Sequence, residues 1–225
     1  MTPTSQPEPI DRFRAEFVGE LLRAESRHIA ARAAGLAMSL GLRTRWGGDA
    51  LTAWTESFES RLQELAACLG AGRPQDFSTR IAWARVAYEA RNVDPGDLAT
   101  GLRALRQAVV EALPADDAPG VAGVLDQAIL AARAAGPAPP AELVPGAPHA
   151  ALAGEYLVAI LEGDRARAAS IIYEAVRDGR LSVEEAYTHV FTPVLREMGR
   201  MWHLAEVNVA EEHFATATTL MAMAQ

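Results

Sequence analysis

Lysine is absent from this chain: all 21 cationic side chains are arginine. Together with the abundance of alanine, that bias reflects a GC-rich genome and carries no chemistry of its own. Against 29 acidic residues the formal net charge is -8. With no basic stripe to offset the acids, broad binding to nucleic acid is excluded. Cysteine is reduced to one residue, Cys68, so an intramolecular disulfide and a thiolate zinc site are both ruled out. Placed between Ala67 and Leu69 on an expected helix, it reads as a buried structural thiol. No apolar run approaches the roughly 20 residues that span a bilayer. Met1 to Ile10 is polar and has no secretory core, so a cytoplasmic protein without membrane attachment is expected. The catalytic signatures are missing as well: no Ser-His-Asp set, no phosphate-cradling glycine loop and no His-Glu-x-x-His, so no enzymatic activity is expected.

Strand-like alternation is also missing, while apolar residues recur at helical spacing almost throughout. The fold class is therefore all-α. Ile10, Phe13, Phe17 and Leu21 begin one stripe that continues through Ala24 and His28. Further stripes run Leu51-Trp54-Phe58-Leu62-Leu65-Leu69, Phe77-Ile81-Ala84-Tyr88, Leu98-Leu102-Leu105-Val109-Leu113 and Val121-Val124-Ala128-Ala132. Glycine and proline break the pattern at Gly47-Gly48, around Gly70 to Pro74, at Asn92 to Pro95 and from Pro114 to Gly120. Prolines at 137, 139, 140, 145 and 148 mark residues 136–148 as an extended, semi-rigid linker. The expected organisation is a disordered tail at 1–9, a helical sensor or dimerisation domain at 10–135, the linker, and a four-helix module at 149–225.

Local signals resolve the last module further. Its first helix runs from about His149 to Leu161, with Gly163 as a stop and Asp164 as the next cap. Ser182 and Glu185 form a capping box for a third helix with the stripe Val183, Ala186, Tyr187, Val190, Val194, Leu195, Met198 and Trp202. Pro193 lies inside that helix and should bend it about two turns before Trp202. Asn208, with Glu211 three residues on, caps the fourth. The spacing places Trp202 and His203 at the end of one helix, with Val209, Glu212 and His213 on the first turns of the next. One surface can carry all five. Gathering two imidazoles, an indole and carboxylates at a corner between apolar helices is costly unless they meet a ligand, a metal or their own partners. His28, His149 and His189 read as structural or solvated.

The run Trp202 to His213 resembles the helical-bundle module of the CarH-type adenosylcobalamin-dependent photoreceptors, which is related to the cap domain of methionine synthase. Trp202, then nine residues, then Glu212-His213 match that family's spacing, and Phe191 to Gly199 is similar to its third helix. The resemblance spans residues 149–225. It implies that Trp202 packs on the 5'-deoxyadenosyl group above cobalt, that Glu212 hydrogen-bonds that group, that Val209 lines the pocket and that His213 orders the site. His203 corresponds to the histidine that can ligate cobalt after photolysis. Neutral imidazole suits that metal, and an aromatic wall suits a purine-bearing ligand.

The family pattern continues into a doubly wound α/β domain whose Asp-x-His-x-x-Gly loop supplies the lower cobalt ligand. That motif does not occur here, and the apolar pattern of the last helix still runs at Gln225. The corrin-binding α/β domain is therefore expected beyond residue 225 or in trans. Residues 10–135 show no winged DNA-binding pattern. Arg80 to Leu113 faintly resembles the helical sensor domains of the RsbR type. The functional expectation is a cobalamin-dependent light sensor acting in signal transduction, expected as a homo-oligomer. The alternatives are a cap module in a corrinoid methyltransferase system and a cofactor-free interaction scaffold.

Overall fold

The computed structural model describes residues 12–42, 49–134, 136 and 139–224, without the side chains of Arg12 and Phe13. Among these residues every regular element is helical and none is a strand, in agreement with the all-α expectation. The chain divides into two compact units, residues 1–136 and 137–225. The tail at 1–9, Ile10 and the Gly47-Gly48 break lie outside the described residues.

The first unit comprises α1 (Arg12–Ala24), α2 (Ser26–Ser39), α3 (Ala50–Gly70), α4 (Gln75–Ala90), α5 (Pro95–Ala112) and α6 (Ala118–Arg133). Helix α2 packs on α3 and α5, while α6 packs on α4 and α5. Four fully buried alanines, Ala30, Ala33, Ala34 and Ala37, let the neighbours of α2 approach closely. Leu62, Leu65, Leu102, Leu105 and Leu125 fill the space around them. Helix α1 lies on α3, where a Cβ on Gly19 would stand 3.0 Å from the Ala66 carbonyl oxygen. Ion pairs tie the helices at the rim: Arg14 Nε donates to Asp117 Oδ1 at 2.6 Å and Arg106 Nε to Asp126 Oδ1 at 2.7 Å. Cys68 is buried, and burial pushes its thiol pKa up.

The stripe expected through Phe17 and His28 needs correction. Two helices meet at Glu25, and the buried row is Ala15, Val18, Leu22 and Ile29, whereas Phe17 and His28 are exposed. Both rows have helical spacing, and the face is decided by where α3 lies.

The second unit comprises α7 (Ala150–Leu161), α8 (Arg165–Arg177), the short α9 (Val183–Glu185), a π-helical segment Ala186–Phe191, α10 (Thr192–His203) and α11 (Val209–Met223). Helices α7, α8, α10 and α11 pack as a four-helix bundle. Tyr156, Ile160, Val190, Phe191, Val194, Met198 and Ala215 are buried in its core. The Tyr156 ring lies 5.6 Å from that of Phe191, and its hydroxyl is 3.1 Å from Thr219 Oγ1. The expected caps are formed. Asp164 accepts from the Arg167 amide, and Ser182 and Glu185 make a reciprocal capping box.

The third helix differs from its expected form. Pro193 is accommodated by widening six residues into a π segment, in which the Thr192 amide donates to the Tyr187 carbonyl five residues back. Proline cannot donate to the fourth carbonyl behind it, and the extra residue per turn rephases the chain before the α-helix resumes. Only part of the expected stripe is buried. Ala186, Val190, Val194 and Met198 are buried, whereas Val183, Tyr187 and Trp202 are exposed.

Ahead of α7, residues 139–149 form no regular element. The Glu142 amide donates to Glu197 Oε2 on α10 at 2.7 Å, and Leu143 packs against the bundle core.

Candidate functional site

The corner between α10 and α11 is built from caps. Helix α10 ends at His203, and the chain reverses at Ala205, whose φ of 57° lies in the left-handed region that normally selects glycine. The Glu206 amide donates back to the Met201 carbonyl at 2.8 Å, closing the helix end. Val207 plugs the bend into the core. Asn208 then starts α11: its Oδ1 accepts from the amides of Ala210 at 2.8 Å and Glu211 at 3.0 Å, while Glu211 Oε2 accepts from the Asn208 amide at 2.7 Å. The capping box expected from the sequence is therefore complete.

These caps decide what the corner presents. Trp202 is 37% exposed and Val209 54% exposed, so neither is spent on the core. Glu212 and His213 are joined, with His213 Nδ1 2.8 Å from Glu212 Oε2. Thr216 Oγ1 donates to Glu212 Oε1 at 3.3 Å, so both carboxylate oxygens are engaged and their direction is fixed. His203 is different. It is fully buried, whereas the preceding Trp202 is accessible. Four of the five residues singled out from the sequence thus lie at the accessible corner, and His203 faces the interior.

A second polar group supports the corner from below. Arg200 reaches Glu197 Oε1 through both Nε, at 2.9 Å, and a terminal nitrogen, at 2.7 Å. That terminal nitrogen also meets Glu206 Oε2 at 3.0 Å. Burial pushes the Glu197 carboxyl pKa up, but the Arg200 guanidinium and the Glu142 amide outweigh it and hold it below the ordinary value. The Glu197 bonds in turn raise the Arg200 pKa. Sequence reasoning passed over Glu197, Arg200, Glu206 and Thr216. The Glu197-Arg200 spacing of three was a signal for the pair, whereas its tie to Glu142 has no local signature.

An exposed indole, an apolar neighbour and a fixed acceptor, set where two bundle helices meet, are features that cover a ligand rather than enclose one. Residues 152–225 match the family model of the B12 binding domain. No curated protein and no solved structure matches the chain. The matched residues run from within α7 through α11, and the match supports a cobalamin as the cofactor of this helical module. The donor set of the corner fits that cofactor. Trp202 and Val209 can offer flat and aliphatic surface to a macrocycle or its upper ligand, and Glu212, held by His213 and Thr216, can accept from a ligand hydroxyl or amine. Among the described residues no cluster of three histidine, cysteine or acidic side chains is arranged to hold a metal ion by itself. No helix there is long and apolar enough to cross a membrane.

Proposed function

We propose that this chain is a cobalamin-dependent light sensor whose B12 binding module covers the upper face of adenosylcobalamin. The observation that carries this reading is the accessible Trp202 at the end of α10, with accessible Val209 and the bonded Glu212-His213 pair on the first turns of α11, at the spacing of the CarH-type photoreceptors. When bound, the cofactor supplies a cobalt–carbon bond that visible light can break. The chain's own residues select and shield it. Trp202 excludes water from the upper ligand and favours a bulky adenosyl group over a small one. Glu212 accepts a hydrogen bond from that group's ribose, and His213 and Thr216 keep the carboxylate aimed. Val209 gives an apolar contact to the ligand.

His203 enters only after a rearrangement. Its burial withholds the ring from the ligand side, so reaching cobalt requires the end of α10 to turn. Such a turn is a conformational signal, and the first helical unit is its receiver, as a sensor or dimerisation domain within a homo-oligomer. The lower cobalt ligand comes from a corrin-binding α/β domain, in cis or in trans. The protein is a cytoplasmic regulator and not an enzyme.

The reading is tested by purifying the chain in the dark with adenosylcobalamin and recording its visible spectrum and hydrodynamic size before and after green light. A bound corrin whose spectrum and assembly change on illumination is the expected result. A bound corrin with no light-driven rearrangement would place the module in a methyl-transfer corrinoid system instead, and no bound corrin even with a corrin-binding α/β domain supplied would overturn the reading.

A further inference from the structure

Glu197 sits where two otherwise separate parts of the second unit meet. Its side chain is 8% exposed and that of Arg200 16%, values low for an ion pair on a bundle of this size. One carboxylate oxygen holds Arg200 and the other holds the amide of Glu142, a residue 55 positions earlier in sequence. Arg200 in turn holds Glu206, three residues beyond His203 in the bend that leads from Trp202 to α11. A continuous chain of charge-assisted hydrogen bonds therefore runs from the bend through α10 to the segment that enters the bundle from the first unit. Neutral pairs would have sufficed for packing, and a buried ion pair is a poor source of stability compared with apolar side chains. What it supplies is a defined geometry with few alternatives.

We infer that Glu206, Arg200 and Glu197 form a positioning relay that sets residues 139–149 according to the state of the Trp202 corner. The relay rests on the cobalamin reading for its trigger, while its wiring is a property of the ligand-free chain. Turning the end of α10 displaces Arg200 and Glu206 together. The planar guanidinium cannot keep both carboxylates in line through such a turn, so either Glu206 or Glu197 is released. Release of Glu197 frees the Glu142 amide. Residues 139–149 have no helix or strand to hold them; Glu197 and the packing of Leu143 tie their middle to the bundle, and His149, paired with Glu185, ties their end.

Amide hydrogen exchange at Glu142 in the full-length chain reads the relay directly. Glu206 is exposed and its side chain bonds Arg200, so Glu206→Gln should leave the bundle folded. It should nevertheless speed exchange at Glu142 by about threefold, and Glu197→Gln by about tenfold or more. Glu162→Gln, which removes a surface pair with Arg167 in the same unit, should leave Glu142 unchanged. Unaltered exchange in Glu206→Gln, or an equal change in Glu162→Gln, overturns the relay. Adenosylcobalamin added to the wild-type chain in the dark, followed by light, should then shift Glu142 exchange in a way that Glu206→Gln suppresses. A chain that binds corrin yet shows no shift at Glu142 overturns the relay and leaves the cobalamin reading standing. A chain that binds no corrin even with a corrin-binding α/β domain supplied ends the cobalamin reading, and the series without corrin still decides the relay.

Discussion

A tryptophan left more than one-third exposed at a helix end forgoes much of the burial energy its indole could contribute to the fold. Trp202→Ala should accordingly cost the bundle less than about 1.5 kcal/mol in urea unfolding, far below the 3–5 kcal/mol typical of a buried tryptophan. The same substitution should weaken discrimination between adenosylcobalamin and methylcobalamin by about tenfold, read from spectral titrations, because the space that selects the larger group is emptied. A large stability loss with unchanged discrimination would return Trp202 to the core. Glu185 offers a second residue-level test. Hydrogen bonds from the Ser182 amide and hydroxyl, then His149, hold its pKa at about 2 against an ordinary 4.5. A depressed folded value means its contribution is present above pH 4.5 and is lost as pH falls toward 2. Urea midpoints of the second unit should therefore decline across that window, and Ser182→Ala should flatten the slope without abolishing it, since the backbone amide of residue 182 remains. The side chains at the corner were legible because capping chemistry is local: Asn208, Glu211, Ser182 and Glu185 do what their spacing says. The burial of His203 was not, since neighbouring residues on a helix differ by about 100° and only the position of the other helices decides which one turns inward.

At the scale of the element, the π segment shows how one residue type reshapes a helix that periodicity describes as continuous. Pro193 announced an irregularity, but a bend and a widened turn are both answers to a missing donor, and the sequence does not separate them. The buried row Ala186, Val190, Val194 and Met198 runs through the widened turn into α10, while Trp202, one turn beyond Met198, stands exposed at the helix end. Close approach is the other element-level feature hidden from periodicity. Gly19 marks where α1 meets the backbone of α3, and a Cβ there would stand 3.0 Å from the Ala66 carbonyl oxygen, which belongs to helix backbone and cannot rotate away. Gly19→Ala should therefore be destabilising by about 1–3 kcal/mol, despite alanine's higher helix propensity. Chemical unfolding of the first unit checks this, and a stabilised variant would show that α1 moves freely on α3.

Across the whole molecule, two cores that share no cluster should unfold as two cooperative systems. Tyr156 gives the sharpest test because it is fully buried, packs against Phe191 with its ring tilted and bonds Thr219 across the bundle. Tyr156→Ala removes the largest buried side chain of the second unit together with that bond, and should cost about 3–5 kcal/mol. A four-helix unit of this length has total stability of similar size, so the variant should lose its protected amides in residues 150–223 at ambient temperature. The first unit keeps its own alanine-lined core around α2 and should retain protection throughout residues 50–133. Peptide-resolved hydrogen exchange separates the outcomes. Loss confined to the second unit means that the B12 binding module can be loosened, bound and switched without unfolding the unit expected to receive its signal. Loss in both would mean that the two cores fold as one, and a signal carried through residues 139–149 would then be unnecessary, because strain in either core would reach the other directly.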